Sequence, residues 1–296
     1  MSALADSPTL RSDHRLGVFL VAASAVAWSI SGIFARLLTV DEWTTVSMRA
    51  AIGAVYMLVG LIVVHRGNSL AAIRSIGWFG VGVGVCASLS MLFYVGALFH
   101  TTIANVSVIY ATTPFWAAGL AWLIMREAVP LKTLIAALVA LAGVIVMVSG
   151  SFGSSHLFGD GMAFGMALSF ATVAVIVRAR PGLEMLPVNL FCCLFTALIG
   201  LPFASPSHAT PQDWLVLAAF AFTSIPLAFF MFLAGARKIP AAESGLITTL
   251  DVVLSPLWVY LIFSENPGQA AIIGGAIVFA AVVWHILDGL RISRVR

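Results

Sequence analysis

Ten stretches of about 20 mostly apolar residues dominate this chain of 296 residues. A helix needs about 20 such residues to cross the hydrocarbon core of a bilayer, whereas the strands of a membrane barrel are shorter and alternate. These stretches do not alternate, and short connections separate them. The sequence therefore predicts an all-α integral membrane protein with ten transmembrane helices, at 17–37, 44–64, 76–98, 102–124, 131–149, 159–179, 185–203, 213–235, 240–262 and 269–288.

The composition excludes a soluble fold. Hydrophobic residues make up 61% of the chain, and charged residues only 9%, against about 25% in soluble proteins. The basic residues stand in twos and threes between the apolar stretches, without the basic stripe and interleaved aromatic residues of a nucleic-acid binder. We expect the lipid bilayer as a partner, and no nucleic acid.

The basic residues also predict the orientation. If both termini are cytoplasmic, the inner segments hold 13 of the 15 Lys and Arg residues, namely Arg11, Arg15, Arg66, Arg74, Arg126, Lys132, Arg178, Arg180, Arg237, Lys238, Arg291, Arg294 and Arg296. Positive residues concentrate on the cytoplasmic side of membrane proteins. We expect cytoplasmic tails at 1–16 and 289–296, and a multi-pass protein of a bacterial-type inner (plasma) membrane.

The two halves of the chain resemble each other. Residues 104–127 align with 242–265 at an offset of 138, and residues 25–36 align with 167–178 at an offset of 142. Each half contains five spans, and an odd number makes the second half enter the membrane from the other side. The sequence thus predicts two inverted five-helix repeats, 17–149 and 159–288, joined by a linker at 150–158 and arranged around a central cavity.

This organisation resembles the drug/metabolite transporter superfamily of the EamA type, and within it bacterial exporters of amino acids, including aromatic ones. The resemblance rests on ten helices in two five-helix halves, with a fourth and a ninth helix that each end in a Glu-containing turn. It implies a cavity lined mainly by helices 1, 3, 4, 6, 8 and 9. Many relatives have a Glu-Pro pair in helices four and nine, where this chain has Thr113-Pro114 and Asp251-Val252.

Three charged residues within or near the spans are candidates for chemistry. Asp251 lies in the middle of span nine, where a carboxylate costs about 2.5–3.5 kcal/mol to insert. This position predicts that Asp251 contacts a substrate amine or carries a proton. Alternatively, it is a protonated acid bonded to a nearby hydroxyl. Glu243 is a second candidate for coupling, although a Glu at a helix N-terminus is also favourable for the helix dipole. Arg49, near the outer edge of span two, either attracts a substrate carboxylate or snorkels to the interface.

Aromatic and small polar side chains on the predicted cavity helices are candidate substrate contacts. Aromatic faces can stack on flat side chains, and Asn or hydroxyl groups can bond a solute, although both also serve helix packing. The predicted contacts besides Asp251 are Trp28, Ser90, Tyr94, Asn105, Tyr110, Phe170 and Thr248. Prolines inside helices remove a backbone donor, so we expect a hinge or a helix break at Pro114, Pro226 and Pro256.

Missing motifs narrow the function. The chain has no phosphate-binding loop for ATP and no metalloprotease or serine-hydrolase motif. All histidines except His285 are assigned to tails or loops. We therefore predict no enzyme, metal or cofactor, but a secondary or facilitative transporter that exports small organic metabolites, foremost amino acids, as a monomer or weak homodimer. The alternatives are an intramembrane enzyme using Asp251 and a passive channel.

Overall fold

The computed structural model describes residues 8–101, 103–149, 157–264 and 268–295, and every regular element within these ranges is helical. The helices are α1 (Pro8–Ser29), α2 (Ser31–Leu37), α3 (Glu42–His65), α4 (Ser69–Ser75), α5 (Gly77–His100), α6 (Ile103–Tyr110), α7 (Thr113–Met125), α8 (Leu131–Val148), α9 (Leu157–Ala179), α10 (Met185–Gly200), α11 (Pro211–Phe222), α12 (Phe230–Ala236), α13 (Ala241–Thr248), α14 (Leu250–Phe263) and α15 (Gln269–Val295). A π-helical segment, Thr223–Phe229, joins α11 to α12.

Nine helical segments in the described part of the chain are long and apolar enough to cross a membrane. They correspond to nine of the ten predicted spans. The exception is the fifth, where the apolar part of α8 is shorter and covers Leu131–Met147. Helix α1 begins at Pro8 and α15 continues to Val295, so helix extends into both segments that were expected to be tails. Most of the predicted linker, residues 150–156, lies outside the described residues.

Local sequence explains where several helices begin and end. The Asp41 side chain accepts a bond from the Thr44 amide at 2.8 Å and caps the start of α3. At the start of α11, Thr210 and Asp213 form a reciprocal capping box. The connection after α3 turns through Arg66, whose φ of 38° is left-handed. Such caps satisfy free backbone groups within a few residues and allow the short connections.

Spans four and nine are interrupted at equivalent places. Helix α6 ends at Tyr110 and α13 ends at Thr248, which are 138 residues apart, the offset found in the sequence. Helices α7 and α14 are then followed by Arg126 and Ser264, again 138 apart, with left-handed φ angles of 56° and 55°. The repeated sequence therefore produces the same broken helix twice.

The prolines relate to these breaks in three different ways. Pro114 is the second residue of α7, where its missing N–H is not needed, so the break precedes it at Ala111 and Thr112. Pro226 lies inside the π-helical segment. The break expected at Pro256 is absent there, because α14 runs through this residue and the interruption of span nine lies at Thr249.

The connections between helices lie at two ends of the bundle, as the polar contacts among them show. One end, which we call the terminal end, holds the start of α1 and the end of α15. Its contacts between segments include Lys132–Asp288 at 2.7 Å, Arg178–Glu127 at 2.9 Å and His65–Glu184 at 3.2 Å. The other end, which we call the opposite end, has contacts such as Thr39–Asp213 at 2.8 Å and Thr101–Asp160 at 2.6 Å. Successive connections alternate between these two ends.

The helix pairs follow a regular scheme. The extensively packed pairs include α8 with α15, α5 with α9, α3 with α10, α1 with α12 and α7 with α13. Numbered by span, these pairs are span five with ten, three with six, two with seven, one with eight and four with nine. The set stays the same when each span is replaced by its counterpart in the other half. Small residues permit the closest approach: a Cβ on Gly274 would lie 2.3 Å from the Met147 amide nitrogen.

Candidate functional site

The inner helices are tightly packed near the terminal end and more open towards the opposite end. Every residue of α13 is buried, whereas residues 251–256 of α14 are all half-buried on every face of the helix. In span one, Val21 and Ala25 are fully buried, whereas residues 30–34 are half-buried. Because α14 is partly accessible on every face, it borders an open space on the side that faces the other helices as well. We call this space, in the half of the bundle towards the opposite end, the central space.

An aromatic cluster lies between spans one, four, six and eight. The Phe170 ring lies 6.1 Å from Trp28, 6.1 Å from Tyr110 and 5.3 Å from Phe232, measured between centroids. The Trp28 indole donates to the Ser224 carbonyl oxygen at 3.0 Å, which fixes the ring. The structure thus brings together three predicted contacts and adds Phe232, a fully buried residue that the sequence did not distinguish from other apolar residues.

Three predicted residues are accessible from the central space. Asp251 is the second residue of α14, directly after the break, and is half-buried. Tyr94 is 44% exposed and Tyr110 is half-buried. Thr248, in contrast, is 0% exposed, and its hydroxyl donates to the Gly245 carbonyl oxygen at 2.8 Å, so it serves the packing of α13.

Arg49 lies deeper than a snorkelling residue would. Its side chain is 8% exposed, one guanidinium nitrogen lies 2.9 Å from the Met91 sulfur, and the Phe220 ring centroid is 4.7 Å away. Its Nε has no hydrogen-bond partner among the described residues. The interfacial position is thus wrong, because α3 turns this side chain inwards between spans three and eight.

Two predicted contacts are engaged in helix packing. Ser90 donates to the Met166 carbonyl oxygen at 3.1 Å and joins α5 to α9. Asn105 bonds both Asp160 and the Thr101 hydroxyl at 3.1 Å, at the opposite end. These bonds connect spans rather than point to a solute.

Glu243 belongs to a buried cluster that the sequence did not predict. Its two carboxylate oxygens lie 3.1 Å from His14 Nε2 and 3.4 Å from His285 Nε2. The assignment of His14 to a tail is wrong, because α1 begins six residues before it. The three residues stand far apart in the chain, and no local spacing reveals that α1, α13 and α15 meet here.

A separate pocket of about 350 Å³ lies at the terminal end, between α3, α10 and α12. Its lining is mostly apolar, and Arg237 in its wall already donates to the Leu183 carbonyl oxygen at 2.7 Å. Its other charged groups, His65 and Glu184, pair with each other at 3.2 Å, so the charged side chains of this pocket are already engaged within the protein.

Comparison with known proteins agrees with this architecture. The profile of the EamA-like transporter family matches the chain twice, at residues 15–149 and 157–287. The chain belongs to the EamA-like transporter family. It is therefore a multi-pass membrane transporter, and the two matches correspond to its two halves.

Several relatives of this EamA-like protein match along most of their length. Uncharacterized transporter YetK of Bacillus subtilis is 25% identical over 91% of this chain and 88% of its own. Pseudopaline exporter CntI of Pseudomonas aeruginosa is 24% identical over 90% and 94%. The S-adenosylmethionine uptake transporter of Rickettsia prowazekii is 23% identical over 78% of each chain. One crystal structure of a protein 20% identical has a TM-score of 0.80 and covers 94% of this chain and 99% of that one, which shows the shared fold.

Proposed function

We propose that this transporter exports amino acids, including aromatic and other hydrophobic ones, across a bacterial inner membrane by a secondary or facilitative mechanism. The observation that carries the proposal is the buried Arg49 guanidinium, with which no carboxylate pairs among the described residues, together with the half-buried Asp251 at the start of α14. An amino acid has opposite charges on one carbon atom, and the central space offers a group for each.

Arg49 is the proposed contact for the substrate carboxylate. A buried charge is costly unless it is paired, and within the described residues no carboxylate forms an ion pair with this guanidinium. Met91 and Phe220 offer a polarisable sulfur and an aromatic face, which attract a cation but do not neutralise it. A guanidinium binds a carboxylate through two parallel hydrogen bonds, so a substrate carboxylate fits this position.

Asp251 is the proposed contact for the substrate amine and a candidate proton carrier. It lies half-buried at the start of α14, next to the interruption at Thr249. The aromatic cluster of Trp28, Tyr110, Phe170 and Phe232 lies within reach of the same space and suits a flat or apolar side chain. Ser90, Thr248 and Asn105 support this wall through helix contacts.

The proposed mechanism is alternating access between two inverted repeats of five spans, with cytoplasmic termini. The matched breaks of spans four and nine and the self-consistent set of helix pairs support the repeats. The terminal end also carries the basic residues of the described connections, from Arg66 and Arg126 to Arg178 and Lys238. Proteins with this arrangement bind their solute near the midplane, between the repeats.

The names of the relatives support transport of an organic solute. They differ in the direction of transport, which experiment must therefore decide. One is named an exporter of pseudopaline, and another is named for uptake of S-adenosylmethionine, which is itself an amino-acid derivative. Export of amino acids is the proposal for this chain, and S-adenosylmethionine belongs in the panel of test solutes.

Counterflow in proteoliposomes tests the proposal. Vesicles loaded with phenylalanine are expected to accumulate labelled phenylalanine, and tryptophan and methionine should compete better than sugar phosphates. Reversed competition would refute the proposed substrate class. Flux without saturation or counterflow would indicate a passive channel, and chemical conversion of a lipid-embedded substrate without flux would indicate an intramembrane enzyme.

A further inference from the structure

Three titratable side chains from three spans meet at the terminal end. Glu243 of α13 lies between His14 of α1 and His285 of α15, at 3.1 Å and 3.4 Å. The side chains of Glu243 and His285 are 8% and 10% exposed, whereas that of His14 is 36% exposed. We call these residues the histidine–glutamate cluster. It joins spans one, nine and ten where the packing is tightest.

The cluster can hold a variable number of protons. A buried carboxylate is costly without a positive partner, and both imidazoles present Nε2 to it. His14 forms the hydrogen bond, whereas His285 Nε2 is buried without a well-directed bond to any described residue. A free imidazole has a pKa of about 6.5, so histidines change charge in the physiological range.

Most of the surrounding charges are already matched. Lys238 pairs with Asp13, and Arg178 binds both carboxylate oxygens of Glu127 at 2.9 Å. Lys132 pairs with Asp288, and Arg237 bonds a backbone carbonyl. The charged groups at the terminal end of the helices around α13 and of their connections include Asp13, Arg15, Arg126, Glu127, Lys132, Arg178, Arg180, Arg237, Lys238 and Asp288, and Asp251 follows on α14. Among the described residues, the two imidazoles are the basic groups in direct contact with Glu243.

We propose that the histidine–glutamate cluster is a proton-binding site that keeps the terminal end of the transport route closed. This proposal rests on the proposed transport function. With a proton bound, an imidazolium and the carboxylate attract each other and hold α1 and α15 against α13. When His14 releases the proton to solvent at the terminal end, the carboxylate loses its counter-charge and gains by hydration, which separates the helices. Acid on this side therefore favours the closed end, and alkali favours the open one.

The equivalent position in the first half has different chemistry. Asn105 corresponds to Glu243 at the offset of 138, and it bonds Asp160 in the first turn of α9, as Glu243 bonds the start of α1. That contact pairs a carboxylate with an amide and the Thr101 hydroxyl, and the neighbouring His100 bonds the Gly96 carbonyl oxygen at 2.9 Å instead of a carboxylate. We therefore expect opening of the terminal end to respond to pH much more than opening of the opposite end.

Accessibility of a buried position beside Glu243 tests the proposal. Ser244 is 0% exposed and becomes a reporter as Ser244→Cys, after Cys86, Cys192 and Cys193 are replaced by Ala. A membrane-impermeant thiol reagent is applied from the terminal side between about pH 6 and 8, the range in which histidine titrates. Labelling of exposed Ser75→Cys in the same background corrects for thiol ionisation.

The corrected labelling of Ser244→Cys is expected to rise several-fold with pH, up to the roughly tenfold per pH unit that loss of one proton allows. Glu243→Gln and His14→Gln should flatten this rise, because the first removes the anion and the second removes the imidazole that releases the proton. The matched control is His65→Gln, which breaks an exposed His–Glu pair at the same end and should leave the rise intact.

An unchanged pH response in both Glu243→Gln and His14→Gln overturns the proposal, as does loss of the response in His65→Gln. If Glu243→Gln does not fold, His14→Gln alone decides. Labelling requires no solute, so it gives its result even if every amino acid in the transport panel fails. Failure of the proton site and failure of the proposed substrate class are therefore distinguishable.

Discussion

Replacement of Arg49 by Gln separates a binding residue from a structural one. The buried guanidinium has contacts to a sulfur and an aromatic ring, and within the described residues no carboxylate pairs with it. If a substrate carboxylate supplies that partner, the charge-assisted hydrogen bonds contribute about 2–3 kcal/mol. Their loss should weaken phenylalanine binding about 30- to 150-fold, since about 1.4 kcal/mol corresponds to a factor of ten.

The assay combines a change in the side chain with a change in the ligand, in the manner of a double-mutant cycle. Inhibition constants for counterflow are measured with phenylalanine and with phenylalanine amide, which keeps the amine but lacks the carboxylate charge. The unaltered protein should favour phenylalanine by most of the predicted factor, and Arg49→Gln should bind both ligands about equally. Lys132→Gln, which removes an exposed cation at the terminal end, serves as the control and should preserve the preference.

Thermal stability gives an independent readout for Arg49. Removing a buried, uncompensated charge relieves its desolvation cost, so Arg49→Gln should unfold at an equal or higher temperature without substrate. A large loss of stability together with an unchanged preference for phenylalanine over its amide would refute the reasoning, because Arg49 would then be a packing residue.

Three further experiments test the amine contact, the close helix packing and the orientation in the membrane. Asp251→Asn should fold and should weaken binding of phenylalanine about tenfold or more. It should not weaken binding of 3-phenylpropionate, which lacks the amine, and equal losses for both ligands would refute the amine contact. Gly274→Ala should lower the unfolding temperature because its Cβ would meet the α8 backbone, whereas Gly119→Ala, with open space around it, should not; equal effects would refute the close packing. A reporter after Arg296 should read cytoplasmic and one within 205–210 periplasmic, and swapped readings would refute the orientation.

The general fold could be read from the sequence because membrane spans are long and continuous. Apolar length located the spans, and the offset of 138 between residues 104–127 and 242–265 anticipated two similar broken helices. The place of the break in span nine could not be predicted from Pro256. A proline inside a helix is tolerated where neighbours compensate, so its presence alone does not locate an interruption.

The site was only partly predictable, for a physical reason. Asp251 stood out because a carboxylate in a span is costly wherever it faces, and so its position alone indicates a special role. The inward position of Arg49 and the contact of His14 could not be predicted, since both lie near span ends, where charged residues are ordinary. Only the packing of α1 and α15 against α13 shows that His14 and His285 lie beside Glu243.

The histidine–glutamate cluster and the proposed amine contact share span nine. Glu243 and Asp251 are eight residues apart, which corresponds to about 12 Å along a helix. The interruption at Thr249 lies between them, and it divides a fully buried helix, α13, from one that borders the central space, α14. A change of φ and ψ at such a break can absorb movement of one segment without moving the other. Protons bound by the histidine–glutamate cluster therefore control the terminal end while Asp251 keeps its place at the start of α14, so the pH response of opening and the affinity for the substrate should be separable by mutation.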